Sequence, residues 1–202
     1  MRYDVLIIGG GVAGISCALV LGSGLQKSFG EGKRVGIVMH QKASHLQSAK
    51  LYNAFGIIPG KSGAEILLEA KDHLREQYPG VDILEKEKVK SVTEAGSGFK
   101  VQTNKADYEA KMVVIATGYN SPNRISGLED YVIPHTRAKL EKNRIELKNQ
   151  DHLVKEGLYV AGTLAGWRSQ FSIAAGSGAA VATDILTVWN GGEHTKVHDK
   201  LY

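Results

Sequence analysis

The sequence predicts a three-layer α/β fold: a parallel sheet, flanking helices and a small antiparallel β block. Three observations carry that prediction. The short apolar run Val5–Ile8 enters a glycine-rich turn, Gly9-Gly-Gly11-Val-Ala-Gly14, with a helical pattern beyond it. Two more short apolar runs, Met112–Thr117 and Leu158–Ala161, have the character of buried parallel strands. Between the first and last of these, a group of short β segments interrupts the strand–helix alternation.

Taken in order, Val5–Ile8 is a buried strand because it is short, apolar and β-branched. Gly11–Leu21 is a helix whose Ala13, Gly14, Ser16 and Ala18 permit close packing. The stretch Gly22 to Gly32 has glycines at 22, 24, 30 and 32 and reads as a long connection. Arg34–Met39 is the second strand. The next helix starts at Ser62, where Ser62-Gly-Ala-Glu65 fits a capping box. It runs to Gln77, with Ile66, Leu67, Ala70 and Leu74 on one face. Val89–Thr93 and Phe99–Thr103 flank the hairpin turn Gly96-Ser-Gly98, and Tyr108–Ala110 adds a third strand. Met112–Thr117 returns to the parallel sheet. Ile145–Leu147 and Leu158–Ala161 are strands, and Ser172–Trp189 is the last helix. The expected organisation is one domain over 1–190, its halves 1–120 and 145–190 joined by a polar excursion over 121–144 that contains Pro122 and Pro134. A loose polar tail, 191–202, follows.

Composition narrows the function. At 202 residues, 43% hydrophobic and 23% charged, the chain can bury one sizeable core. Its net charge of +4 suits an anionic ligand, and its scattered Lys and Arg give no nucleic-acid footprint. A single cysteine, Cys17, excludes an intrachain disulfide and a Cys-x-x-Cys pair and fits a reducing, cytoplasmic setting. The apolar start is too short for a signal peptide, and no membrane span is expected. The seven histidines show no metal-ligand spacing, so no metal site is expected.

Gly9-x-Gly11-x-x-Gly14 lies between a strand and a helix, the context in which this spacing cradles a dinucleotide. The first glycine makes the turn, the second lets backbone approach a pyrophosphate, and the third lets helix pack on strand. Phosphates then meet the amides of Val12 and Ala13 at a helix N-terminus. Such turns usually pair with an acid at the end of the second strand, which binds the ribose hydroxyls. Here that strand ends Val38-Met39-His40-Gln41-Lys42, without one. His40 or Gln41 can bond a ribose more weakly; His40 with Lys42 can instead suit a 2′-phosphate and hence NADP; or both are solvated loop residues.

Four segments in order carry a resemblance: the glycine turn; Tyr52-Asn53-Ala-Phe-Gly56-Ile-Ile-Pro-Gly60-Lys-Ser-Gly63-Ala-Glu-Ile-Leu; Val113-Val-Ile-Ala116-Thr117-Gly118; and Gly157-Leu-Tyr-Val-Ala-Gly162-Thr163 with Gln170–Gly178. The chain resembles the FAD domain of the thioredoxin reductase-like branch of the pyridine nucleotide–disulfide oxidoreductases, a Rossmann-like FAD/NAD(P)-binding fold. By position, the resemblance implies that Asn53 lies near the isoalloxazine edge and that the backbone of Val89 meets adenine. Ala116, Thr117 and Gly118 pass close to the cofactor. Gln170 and Phe171 begin a helix under the flavin pyrimidine, where a helix N-terminus stabilises negative charge. Thr163, after Gly162, stands where the family has an Asp. With no acid at 40 or 163, three readings stay open: a weaker FAD site, a site adapted to another flavin or nucleotide, or a relic.

Between 118 and 145 the family inserts a whole NADPH domain, whereas this chain has fewer than thirty residues there, no second G-x-G-x-x-G and no redox cysteine pair. The resemblance therefore implies an FAD-binding oxidoreductase without disulfide reductase activity in cis. Its electrons would come from an external donor, either NAD(P)H or a redox protein, or from a substrate. The alternatives are a non-catalytic nucleotide-binding module and the NADP-binding domain of a split enzyme. No catalytic acid or base can be named. The face left by the missing domain favours a homodimer or a partner protein. Cys17 is expected as a buried small side chain, with a thiol activated by the helix N-terminus as the lesser alternative. Trp167 and Arg168 either shape a substrate cleft or cover the core.

Overall fold

In the computed structural model, which describes residues 1–40, 45–120, 125–195 and 197–198, strand β1 (Arg2–Ile8) sends alternate side chains into two cores. From Val5 onward the strand alternates, Val5 and Ile7 packing among helices and Leu6 and Ile8 against a β-rich layer; Tyr3 joins that layer out of step, beyond an irregularity where Asp4 N and Val5 N both donate to the Arg34 carbonyl. This period of two is what places one sheet between two layers. After β1 come α1 (Val12–Leu25) and β2 (Val35–Met39). A short hairpin, β3 (Lys50–Leu51) and β4 (Lys61–Ser62), leads to α2 (Gly63–Gln77) and β5 (Val81–Glu85). The meander is β6 (Val89–Ala95), β7 (Gly98–Thr103) and β8 (Asp107–Ile115). The rest is β9 (Val132–Pro134), β10 (Ile145–Leu147), β11 (Leu153–Lys155), β12 (Leu158–Val160) and α3 (Phe171–Trp189).

The main sheet runs β11-β12-β8-β1-β2-β5, parallel from β12 to β5, with β11 antiparallel at its edge. Strand β8 joins the two β layers. Its first half pairs antiparallel with β7, Val113–Ile115 pair parallel with β12, and its other edge follows β1 from Glu109 to Ile115. The two strands expected at 108–110 and 112–117 are therefore one, which pairs with β1 on both sides of Lys111.

Other expectations change for identifiable reasons. Helix α1 continues through Gly22 and Gly24, where the sequence suggested a connection. A Cβ on Gly22 would come within 2.7 Å of the Tyr78 ring, and one on Gly24 would strike Leu186. These glycines mark close helix contacts rather than a turn. The capping box at α2 forms: Glu65 N donates to Ser62 Oγ at 3.2 Å, and Ser62 N donates to Glu65 Oε2 at 3.0 Å. Strands β5 and β11, absent from the sequence reading, close the two edges of the sheet. The excursion is partly ordered structure: β9 pairs with β10, Val92 N donates to Ser126 O at 2.8 Å, and Ile125 and Leu128 enter the β-layer core. Residues 121–124, with Pro122, lie outside the described residues. The tail is not loose at Thr195, which is buried and hydrogen-bonded to Asn190 and the Glu193 carbonyl.

Helix α3 is long and apolar enough to cross a membrane, with 19 residues and mean hydropathy 1.4, against the expectation that no such run exists. Its apolar character comes from a high Ala, Gly, Ile and Val content. Gly178, Val181, Ala182, Ile185 and Leu186 are buried, and the helix packs along α1.

Candidate functional site

Ile8, Val38, Ala116 and Ala161 stand at or just beyond the C-terminal ends of β1, β2, β8 and β12, around a cavity of about 500 Å³. That volume lies within the roughly 300–1,000 Å³ of small-molecule and cofactor sites. The position is the sheet's switch point, where the chain leaves β1 for β2 on one side and returns to β8 on the other.

One wall is backbone. Gly9 has φ +124°, and a Cβ there would strike the Ala116 carbonyl. A Cβ on Gly10 would meet Met39 Cγ at 2.7 Å, and one on Gly14 would collide with the Gly9 carbonyl oxygen. Gly11 is the N-cap of α1, and no side chain caps it. Gly11, Val12 and Ala13 line the cavity, so the positive end of the helix borders it.

The opposite wall brings in the start of α3 through Ser169, Gln170, Phe171 and Ala174. Gly162 (φ +75°) packs close to Ala13, and its N–H donates to Ser177 Oγ at 2.7 Å. Thr163 is half-buried, and its carbonyl accepts from His135 Nε2 at 3.1 Å. Arg137 N donates to His135 Nδ1 at 3.1 Å, which leaves the ring proton on Nε2, facing Thr163. Behind them the buried Glu146 Oε2 accepts from Thr136 N and Oγ1, both at 3.0 Å. Arg137 donates to the Gly166 carbonyl at 2.6 Å.

At the end of β2, His40 is exposed and lines the cavity with Glu87, Lys88 and Val89. Glu87 is buried, and its Oε1 accepts from Thr103 Oγ1 at 2.5 Å and from Tyr108 Oη at 2.8 Å. Burial, and then the bond to Glu87, push the Tyr108 hydroxyl up to about 12.

Of the residues singled out from sequence, Gly9, Gly11, Val12, Ala13, His40, Val89, Ala116, Thr117, Gly118, Gly162, Thr163, Gln170 and Phe171 line this one cavity. Gly14 lies behind it, in the turn-to-helix contact. Asn53 is exposed on the β3–β4 loop and is not among the lining residues; Ala49 and Leu51, at the base of that loop, take the wall. Gln41 and Lys42 lie outside the described residues. Sequence reading missed Gly10, Glu87, Tyr119, Asn120 and Ile125. Cys17 is fully buried in the helix-side core, and burial raises its pKa, which excludes the activated-thiol alternative. Trp167 is 41% exposed, with the Arg137 guanidinium 5.1 Å above its ring and the His152 ring 6.1 Å away; it is not among the lining residues.

Comparison with known proteins agrees with this architecture. The family profile described as pyridine nucleotide-disulphide oxidoreductase matches residues 3–167. A thioredoxin reductase from Gloeobacter violaceus superposes with TM-score 0.73 at 16% identity, covering 100% of this chain and 99% of that one. An oxidoreductase from Agrobacterium tumefaciens gives 0.71 at 15% identity, covering 96% and 100%. A ferredoxin-flavin thioredoxin reductase from Clostridium acetobutylicum gives 0.68 at 20% identity, covering 94% and 99%. These likenesses establish the fold, a Rossmann-like FAD/NAD(P)-binding type with added antiparallel β structure. A subunit of the anaerobic glycerol-3-phosphate dehydrogenase from Pectobacterium carotovorum subsp. carotovorum is 40% identical over 80 residues, 39% of this chain. That match spans only 17% of the relative's length.

Proposed function

The chain belongs to the pyridine nucleotide-disulphide oxidoreductase family, and from that premise we propose that it is an FAD-binding flavoprotein oxidoreductase supplied with electrons by an external donor. The observation that carries the reading is the single cavity into which the glycine turn, the start of α1 and the start of α3 all open. Two helix N-termini give it two places that favour negative charge. The first lies at the glycine turn, where no side chain caps the helix and backbone amides stay open to a pyrophosphate. The second, at Gln170 and Phe171, suits the electron-rich edge of a flavin. FAD, when bound, supplies the electron-transfer chemistry; the protein supplies binding, orientation and electrostatics.

The donor is external because the chain has one G-x-G-x-x-G and fewer than thirty residues between Gly118 and Ile145. NAD(P)H, a small redox protein or an oxidisable substrate fits that role. Disulfide reduction in cis is left out of the proposal, since the single cysteine is buried in α1.

The test is an absorption spectrum taken before and after incubation with FAD and desalting. Retained flavin bands in stoichiometric amount support the proposal. Complete loss of flavin on desalting, with no thermal shift by FAD, would sink it.

A further inference from the structure

We propose that Glu87 is the acid that holds the adenosine ribose in this cavity, replacing the carboxylate that is missing at position 40. The inference rests on the dinucleotide reading above and names the group that recognises the sugar.

Glu87 is 4% exposed and lines the cavity beside His40, Lys88 and Val89. Its N–H donates to the Met39 carbonyl at 3.3 Å, so it sits against the end of β2, where folds of this kind place their ribose acid. Its side chain is fixed: Oε1 takes both the Thr103 and Tyr108 hydroxyls. Oε2 has no hydrogen-bond partner among the described residues, and it is not one of the fully enclosed orphan atoms. No cation among the described residues pairs with this carboxylate; the neighbouring His40 and Lys88 are exposed.

Glu87 is largely buried while its Oε2 still reaches solvent, so that oxygen can take a further donor from the cavity, and a hydrogen bond to an ionised acceptor is among the stronger kinds. A sugar hydroxyl is the complementary group, and two vicinal hydroxyls can share one acceptor oxygen. The same charge repels a phosphate on the 2′ position. The cavity is thereby selective for adenosine ribose with both hydroxyls free, as in FAD, ADP and NADH, over the 2′-phosphorylated ribose of NADPH.

The experiment is calorimetric titration of the full chain with ADP and with 2′,3′-dideoxy-ADP. The wild type should prefer ADP by about tenfold or more. In Glu87→Gln that preference should shrink severalfold, because a charge-assisted bond becomes a neutral one. Tyr108→Phe, which loses a partner of Oε1 only, should keep it. A general structural defect would weaken both ligands alike and leave their ratio unchanged. Equal wild-type affinity for the two ligands overturns the proposal, as does a preference undiminished in Glu87→Gln. Should Glu87→Gln not fold, the wild type decides the matter: NADPH binding more tightly than NADH refutes it. Binding of neither ADP nor FAD would defeat the dinucleotide reading itself, and this one with it.

Discussion

At the glycine-turn end the cavity wall is backbone, whereas at the Thr163 end the backbone is held by side chains. Gly9, Gly10 and Gly14 each stand where a Cβ would meet another part of the chain. Thr163 and its neighbours are held in place by His135, Ser177 and Arg137. The first end tolerates no added atom, and the second can lose one partner at a time. On the proposed reading, the glycine turn sets whether a dinucleotide binds at all, while the other end grades how firmly.

Gly14→Ala should have the largest effect. Alanine in a helix normally gains about 1 kcal/mol over glycine. Here the collision is with the Gly9 carbonyl, and overpacking against backbone should cost about 3 kcal/mol or more. Thermal denaturation should show a clear fall in Tm, and FAD should no longer be retained; a rise in Tm would refute the steric account. His135→Ala removes the donor to the Thr163 carbonyl and leaves the Arg137 amide without its acceptor. A loss of about 2 kcal/mol in urea denaturation is expected, with FAD binding weakened but measurable. Abolished binding in a folded His135→Ala protein would break the contrast between the two ends. Ser177→Ala leaves the Gly162 amide without its acceptor, at a cost of about 1 kcal/mol in the same denaturation measurement.

The smallest effect at neutral pH belongs to Tyr108. Its hydroxyl is held protonated as a donor to Glu87, and its folded pKa of about 12 lies above the value near 10 of an unfolded tyrosine. The stabilisation is therefore complete below pH about 10 and is lost as pH climbs through about 12. Buried Tyr3, raised first by burial and then by Asp82, acts in the same direction. Tyr108→Phe should flatten this alkaline decline in Tm. A decline of unchanged steepness would show that the bond to Glu87 contributes nothing to it.

The sequence made the first end legible because that end is local. A strand, three spaced glycines and a helix lie within Arg2–Leu25, and each residue's role follows from its neighbours. The cap at Ser62 and the hairpin at Gly96–Gly98 were readable for the same reason. Glu87 was not, since Glu85-Lys-Glu-Lys reads as a solvated charge run. Its burial depends on Thr103 and Tyr108, which a folded meander brings over it. His135 lay in a stretch that reads as polar excursion, and its partner Thr163 is 28 residues away. Strand β5 was hidden by Asp82 and Glu85, whose charges pair with Arg34 and Lys71 once the edge is formed. Asn53 shows the converse: its place beside the flavin came from resemblance alone, and in the fold it is exposed on the β3–β4 loop, whose base at Ala49 and Leu51 lines the cavity.

The most direct test of the central claim, that the glycine turn anchors a dinucleotide, is a pair of calorimetric titrations of the wild-type chain, one with ADP and one with FMN. The account predicts saturable binding of ADP and much weaker binding of FMN, since ADP carries both phosphates and the adenosine ribose, whereas FMN offers the turn one phosphate and has no adenosine. Binding of FMN with no response to ADP would contradict it.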